Sequence, residues 1–205
     1  MPRHHGMIRP GIRFVAAATI SGGELPFTGL GLQAEDLVHY SIGRTVATAP
    51  SLPDGWSEII PAWSDPAPAY CVHWWKFYRP GDADPSPAES GRKRLRVYRG
   101  ARIKTGSAVT AVNVGTAMSI PARSCIKDVL REWAVYSLYC RNAQADIGTW
   151  LPDGATRRFA NAPAANNGTG GDTGGLNTGL PQLDFTLSAA SPAVALAYVL
   201  EPRNS

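Results

Sequence analysis

The stretch YCVHWWKFYR, Tyr70 to Arg79, decides how the rest of the chain is read. Aromatic and β-branched side chains are bulky for a helix and fit a pleated strand, so the stretch predicts a strand. Successive side chains of a strand point to opposite faces. This puts Tyr70, Val72, Trp74 and Lys76 on one face and Cys71, His73, Trp75 and Phe77 on the other. A strand must bury at least one face, and rings of this size dominate whatever core they enter.

The same alternation extends outward. In EDLVHYSIGR, Leu37, His39 and Ser41 oppose Val38, Tyr40 and Ile42. In RKRLRVYRG, Arg92, Arg94 and Arg96 oppose Lys93, Leu95 and Val97, and the basic face is expected to meet solvent or a partner. Further strands are expected over Gly11–Ile20, after Trp56, over Ser107–Ile120 with a bend at Gly115, over Glu132–Arg141, and in LDFTLSA and AVALAYVL near the C-terminus. Ile126, Val129, Leu130 and Trp133 fall at helical spacing, which predicts a short helical turn or loop over Ser124–Arg131. The glycine-rich segment within 161–182 reads as a flexible loop.

Leu-Pro-Asp-Gly occurs twice, at Leu52–Gly55 and Leu151–Gly154, each time just before a candidate strand. Pro53 and Pro152 preset a turn's second position, Asp54 and Asp153 suit the bridge region, and Gly55 and Gly154 supply positive φ. The flanks are alike: HYSIGR precedes the first copy and VYSLYCR the second. Two readings stand, repeated use of a good turn or an internal duplication giving two equivalent sheets packed face to face. With 21 Gly and 17 Pro in 205 residues, and charged residues at 18% against the ~25% usual for globular chains, the composition is turn-rich. The expected fold is one domain over 1–205, an all-β, antiparallel, jelly-roll-like β-sandwich.

Candidates for chemistry are few. Cys71, Cys125 and Cys140 have no zinc spacing and read as buried thiols. His39 and His73, both on predicted strands, could bind metal or exchange protons, or simply be satisfied by hydrogen bonds. Asp36, Asp54, Asp146 and Asp153 do not assemble into a catalytic pair. GTGGDTGG lacks the residues of a phosphate loop, and no cofactor is implied. A net charge of +4 does not require a nucleic-acid partner, and no apolar run approaches a membrane span. This leaves two surfaces as candidate ligand or interface sites. Trp74, Trp75, Phe77 and Tyr78 could stack on the rings of a host-surface glycan or pack in the core. Arg92, Arg94 and Arg96 could meet a phosphate-rich ligand or a neighbouring subunit.

The order EDLVHY, LPDGWSEI, CVHWWKFYR, REWAVYSLYCRNA and LPDGATRRF resembles small virion proteins of tailed bacteriophages and prophages. The matching positions are Asp36, Leu37, Val38, Pro53, Gly55, Trp56 and Ser57, then Trp133, Val135, Arg141 and Ala143. The pattern departs at Glu35, where it carries a glycine. The resemblance covers roughly Gly29 to Phe159. It implies a non-enzymatic β-sandwich of a tail, fibre or head surface, assembled as a homo-oligomer with other virion proteins in the host cytoplasm. A carbohydrate-binding module or receptor-binding tip using the aromatic strand is the alternative.

Overall fold

The computed structural model describes residues 11–46, 48–65, 69–121, 131–141, 155–160, 167–174, 180 and 182–203. Among these the chain is all-β, with two antiparallel sheets. The first sheet contains β1 (Arg13–Ser21), β2 (Leu37–Arg44), β3 (Ser57–Asp65), β4 (Ala69–Phe77) and β5 (Arg92–Arg99), in the order β1-β5-β2-β4-β3. Pro61 is tolerated in β3 because β3 is an edge strand, and its pairing with β4 shifts register on either side of Ile60.

The second sheet takes up β6 (Ala101–Ile103), β7 (Val109–Asn113), β9 (Trp133–Cys140), β10 (Thr156–Ala160), β11 (Asn167–Asp172) and β13 (Ala193–Pro202). Its order is β10-β11-β9-β13-β6, and β7 lies beside β6 along the same edge of β13. β8 (Ala117–Ile120) and β12 (Leu183–Thr186) pair separately as a small ribbon.

The two sheets repeat one topology. If β6 and β7 together stand for β1, then β9, β10, β11 and β13 stand for β2, β3, β4 and β5, and both sheets read first-fifth-second-fourth-third. The register agrees as well: His39, Tyr40 and Ser41 lie opposite Arg96, Leu95 and Arg94, and Val135, Tyr136 and Ser137 lie opposite Tyr198, Ala197 and Leu196. Both Leu-Pro-Asp-Gly copies stand between the second and third strands of their sheets. Residues 151–154 lie outside the described residues. Gly55 has φ of 76°, the left-handed conformation expected of the first copy.

Both sheets are buried on both sides. The outer face of the first sheet (Val38, Tyr40, Ile42, Val72, Trp74, Leu95, Val97) lies under Leu25, Phe27 and Trp56. The outer face of the second (Ala134, Tyr136, Leu138, Ala195, Ala197, Val199) lies under Met118 and Ile120 of β8, with Leu180 and Leu187. In each half, then, the chain between the first and second strands, through Leu25 and Phe27 or through Met118 and Ile120, folds back as part of the cover.

Two expectations are corrected. The segment 161–182 is not a loop throughout: Asn167–Asp172 is β11, hydrogen-bonded between β9 and β10, with Thr169 and Asp172 fully buried. Its glycines serve close approach. A Cβ on Gly168 would stand 2.6 Å from Arg94 Nη2 and 2.5 Å from Leu138 O. The Arg94/Arg96 face of β5, expected outward, is turned in against the second sheet and is buried. The strand Glu132–Arg141 is found as β9. The helical turn expected at 124–131 falls on 122–130, outside the described residues, except for Arg131.

Candidate functional site

The alternation of β4 sends its two neighbouring tryptophans to opposite sides. Trp74 is fully buried in the outer core, stacked on Tyr40 with ring centroids 6.0 Å apart and planes 13° from parallel. It is therefore a core residue and not a ligand platform. Tyr78 is half-buried against Phe27, with ring centroids 6.5 Å apart. Lys93, on the same face, is also fully buried: its ammonium donates to Asp84 Oδ2 at 2.8 Å and to the carbonyls of Gly23 and Ser86. Asp84 is further held by Leu25 N at 2.7 Å, Tyr40 Oη at 2.9 Å and Ser86 N at 2.9 Å. A buried ion pair survives only with its remaining hydrogen-bonding capacity filled, and these contacts fill it while tying the cover down.

Between the sheets the layer is polar at its centre. Arg96 donates to Tyr136 O at 2.7 Å, to Ser137 Oγ at 2.5 Å and to His39 Nδ1 at 2.8 Å. A guanidinium has only donors, so His39 Nδ1 accepts and the ring proton sits on Nε2. That nitrogen faces His73 Nδ1 at 3.0 Å, which leaves His73 Nε2 to donate toward Cys71 Sγ at 3.4 Å. One arginine thus sets the tautomers of two imidazoles.

Burial, with Arg96 as the next cause, holds His39 well below its ordinary value. Burial, then Arg96 and Arg94, pushes His73 down to about 3. Both imidazoles are therefore neutral at neutral pH. Burial pushes the Cys71 thiol up to about 12 and pulls Arg94 down to about 10. Farther along, Asp172 accepts from Arg158 Nε at 2.6 Å and Nη2 at 2.8 Å and from Tyr98 Oη at 3.1 Å. His39, His73 and Cys71 are sealed from solvent, so this layer joins the sheets and offers nothing to a substrate. Among the described residues no group of His, Cys, Asp and Glu is arranged to hold a metal ion.

Trp75, on the inner face, emerges where the sandwich ends. Here a cleft of about 350 Å³ is lined by Glu35, Gly55, Ser57, Trp75, Lys76, Phe77, Arg79 and Arg203. Four parts of the chain build it: the start of β2, the first Leu-Pro-Asp-Gly turn, the end of β4 and the residue after β13. The first and third are joined by Tyr78 N donating to Asp36 O at 2.8 Å and Glu35 N donating to Tyr78 O at 2.9 Å. Asp36, buried beneath, is clamped by Arg99 through Nε and Nη2, each at 2.7 Å.

Arg203 lies over the Phe77 ring at 3.9 Å and pairs with Glu35 at 2.5 Å. Lys76 pairs with Asp82 at 2.7 Å and lies 5.5 Å from the centre of the Trp56 ring. Among the described residues no hydrogen bond or ion pair engages the Arg79 guanidinium, which is exposed. Glu35 is the one described non-glycine residue with positive φ, at 69°. Glycine is the residue that adopts this left-handed conformation without steric cost.

Of the seven residues singled out from sequence, Trp75 and Phe77 reach this cleft, and Arg92 is half-buried at the head of β5. Sequence reading missed Arg79, Arg203 and Glu35 as members of a site. The departure from glycine at position 35 was the one available signal. No protein-family model, no curated protein and no solved structure matches this chain.

Proposed function

We propose that the chain is a non-enzymatic structural component of a tailed-phage particle, a β-sandwich that assembles in several copies on the tail, fibre or head surface and contributes to host attachment. The supporting observation is where the residues of the resemblance fall. Asp36 is clamped by Arg99 at the start of β2, Leu37, Val38 and Val135 are core, Gly55 makes the turn, and Trp56 meets Tyr40 edge-on at 5.9 Å. The residues of the resemblance thus specify a frame, and the binding role is what the resemblance itself implies. Edge positions supply room for neighbours. Val112 of β7 and the adjoining Val114 are 61% and 68% exposed, an apolar edge that a second copy would cover.

The test is the native mass of the purified protein by light scattering over a range of concentration and salt. A discrete trimer, pentamer or hexamer supports the reading. A monomer under every condition contradicts self-assembly.

A further inference from the structure

We infer that the cleft at Trp75 is a binding site for an acidic saccharide, a sugar chain bearing carboxylates. The inference goes beyond the assembly reading and stands or fails separately from it.

The shape and lining carry it. Trp75 is half-buried, so its ring is anchored by the inner core on one side and available to the cleft on the other. A flat apolar ring of this kind suits the C–H face of a pyranose. Phe77 stands perpendicular to it, with centroids 5.6 Å apart and planes at 85°, and Arg203 covers Phe77. The open aromatic surface is therefore that of Trp75.

The charges select the ligand. Three cations, Lys76, Arg79 and Arg203, line the cleft with one carboxylate, Glu35. Lys76 is satisfied by Asp82 and Arg203 by Glu35, which leaves Arg79 with its planar set of donors uncommitted. A guanidinium is matched to a carboxylate in bidentate geometry. Ser57, exposed on the rim, and the second oxygen of Glu35 add groups suited to sugar hydroxyls.

The chain also holds Glu35 in a conformation that only glycine adopts without cost, and strained residues concentrate at binding sites. A glycine at 35 would relax the backbone and remove the carboxylate from the cleft. A neutral sugar would leave Arg79 unused, and a simple anion would leave Trp75 unused. An acidic sugar uses both.

The test is a tryptophan-fluorescence and calorimetric titration of the full chain with oligogalacturonate, and with a malto-oligosaccharide of equal length as the neutral control. Oligogalacturonate is expected to bind, more weakly as salt rises, and the neutral oligomer to bind at least about tenfold more weakly. Arg79→Ala, an exposed position, is expected to remove that preference with an unchanged urea midpoint. Arg79→Glu should abolish binding, and Trp75→Ala should weaken it about tenfold or more. Equal affinity for the two oligomers, no binding of oligogalacturonate, or an Arg79→Glu variant that binds as the wild type does would each overturn the proposal.

Discussion

Arg96 and Tyr198 occupy equivalent places on the last strands of the two sheets, and both reach one atom, His39 Nδ1, at 2.8 Å. Arg96 comes from β5 beside His39, and Tyr198 comes across from β13. The contact is the joint between two halves of one topology. It also explains why a face carrying arginines can be internal: the acceptors for Arg96 are the Tyr136 carbonyl and Ser137 hydroxyl of β9, together with a neutral histidine.

Neutrality of the histidines makes the fold sensitive to acid. The unfolded chain takes up protons at His39 and His73 below about pH 6.5, while burial and the arginines keep both native rings unprotonated to lower pH. A base whose pKa is lowered on folding contributes stability at neutral pH that is lost as pH falls through the unfolded value. Below about pH 6, unfolding free energy should fall by about 1.4 kcal/mol per pH unit for each histidine. Urea denaturation at pH 7, 6 and 5 measures this, and His73→Gln should reduce the slope by about half. A flat profile from pH 7 to 5 would rule out the neutral pair.

The buried charge pair on the outer side gives a larger effect. Asp84→Asn keeps the shape but leaves the Lys93 ammonium, 0% exposed, without its anion. The expected loss is about 3–5 kcal/mol by urea denaturation. The double variant Asp84→Asn with Lys93→Met should recover part of it. A loss below about 1 kcal/mol for the single variant would mean that the pair is not buried as described.

Position 35 separates backbone from side chain. Glu35→Ala keeps the positive φ and loses the pair with Arg203, whereas Glu35→Gly loses the same pair and relieves the backbone. The glycine variant should be more stable than the alanine variant by about 1 kcal/mol, read as a difference in thermal midpoint. The reverse order would contradict the left-handed conformation.

Gly168 tests the inward arginines. A methyl group there meets Arg94 Nη2 and the Leu138 carbonyl well inside contact distance. Gly168→Ala should lower stability by about 1–3 kcal/mol. An unchanged midpoint would mean that β11 does not press on Arg94.

Much of this frame was legible because strands have period two. The faces of β2, β4 and β5 followed from alternation alone, and the repeated Leu-Pro-Asp-Gly with its Tyr-Ser-Ile/Leu flank left two readings open, of which the equivalent sheets agree with the repeated strand order. Alternation assigns residues to faces, but it does not say which face another sheet will cover. For Arg94 and Arg96 the deciding groups lie on β9 and β11, far along the chain, so a basic stripe looked external.

The glycines of β11 looked like a loop for the same reason, since the guanidinium that needs their space is not local. The cleft was least legible. It gathers residues from four separated segments, and of these the aromatic strand, through Trp75 and Phe77, was the one singled out from sequence.

The proposed membership of a phage particle is tested most directly by purifying such particles from a lysate of the cells whose genome encodes this chain and identifying their proteins by quantitative mass spectrometry. The chain should co-purify with intact particles in several copies per particle and remain bound through a density gradient. Its absence from gradient-purified particles, with the protein present in the same lysate, would contradict a structural role on the virion.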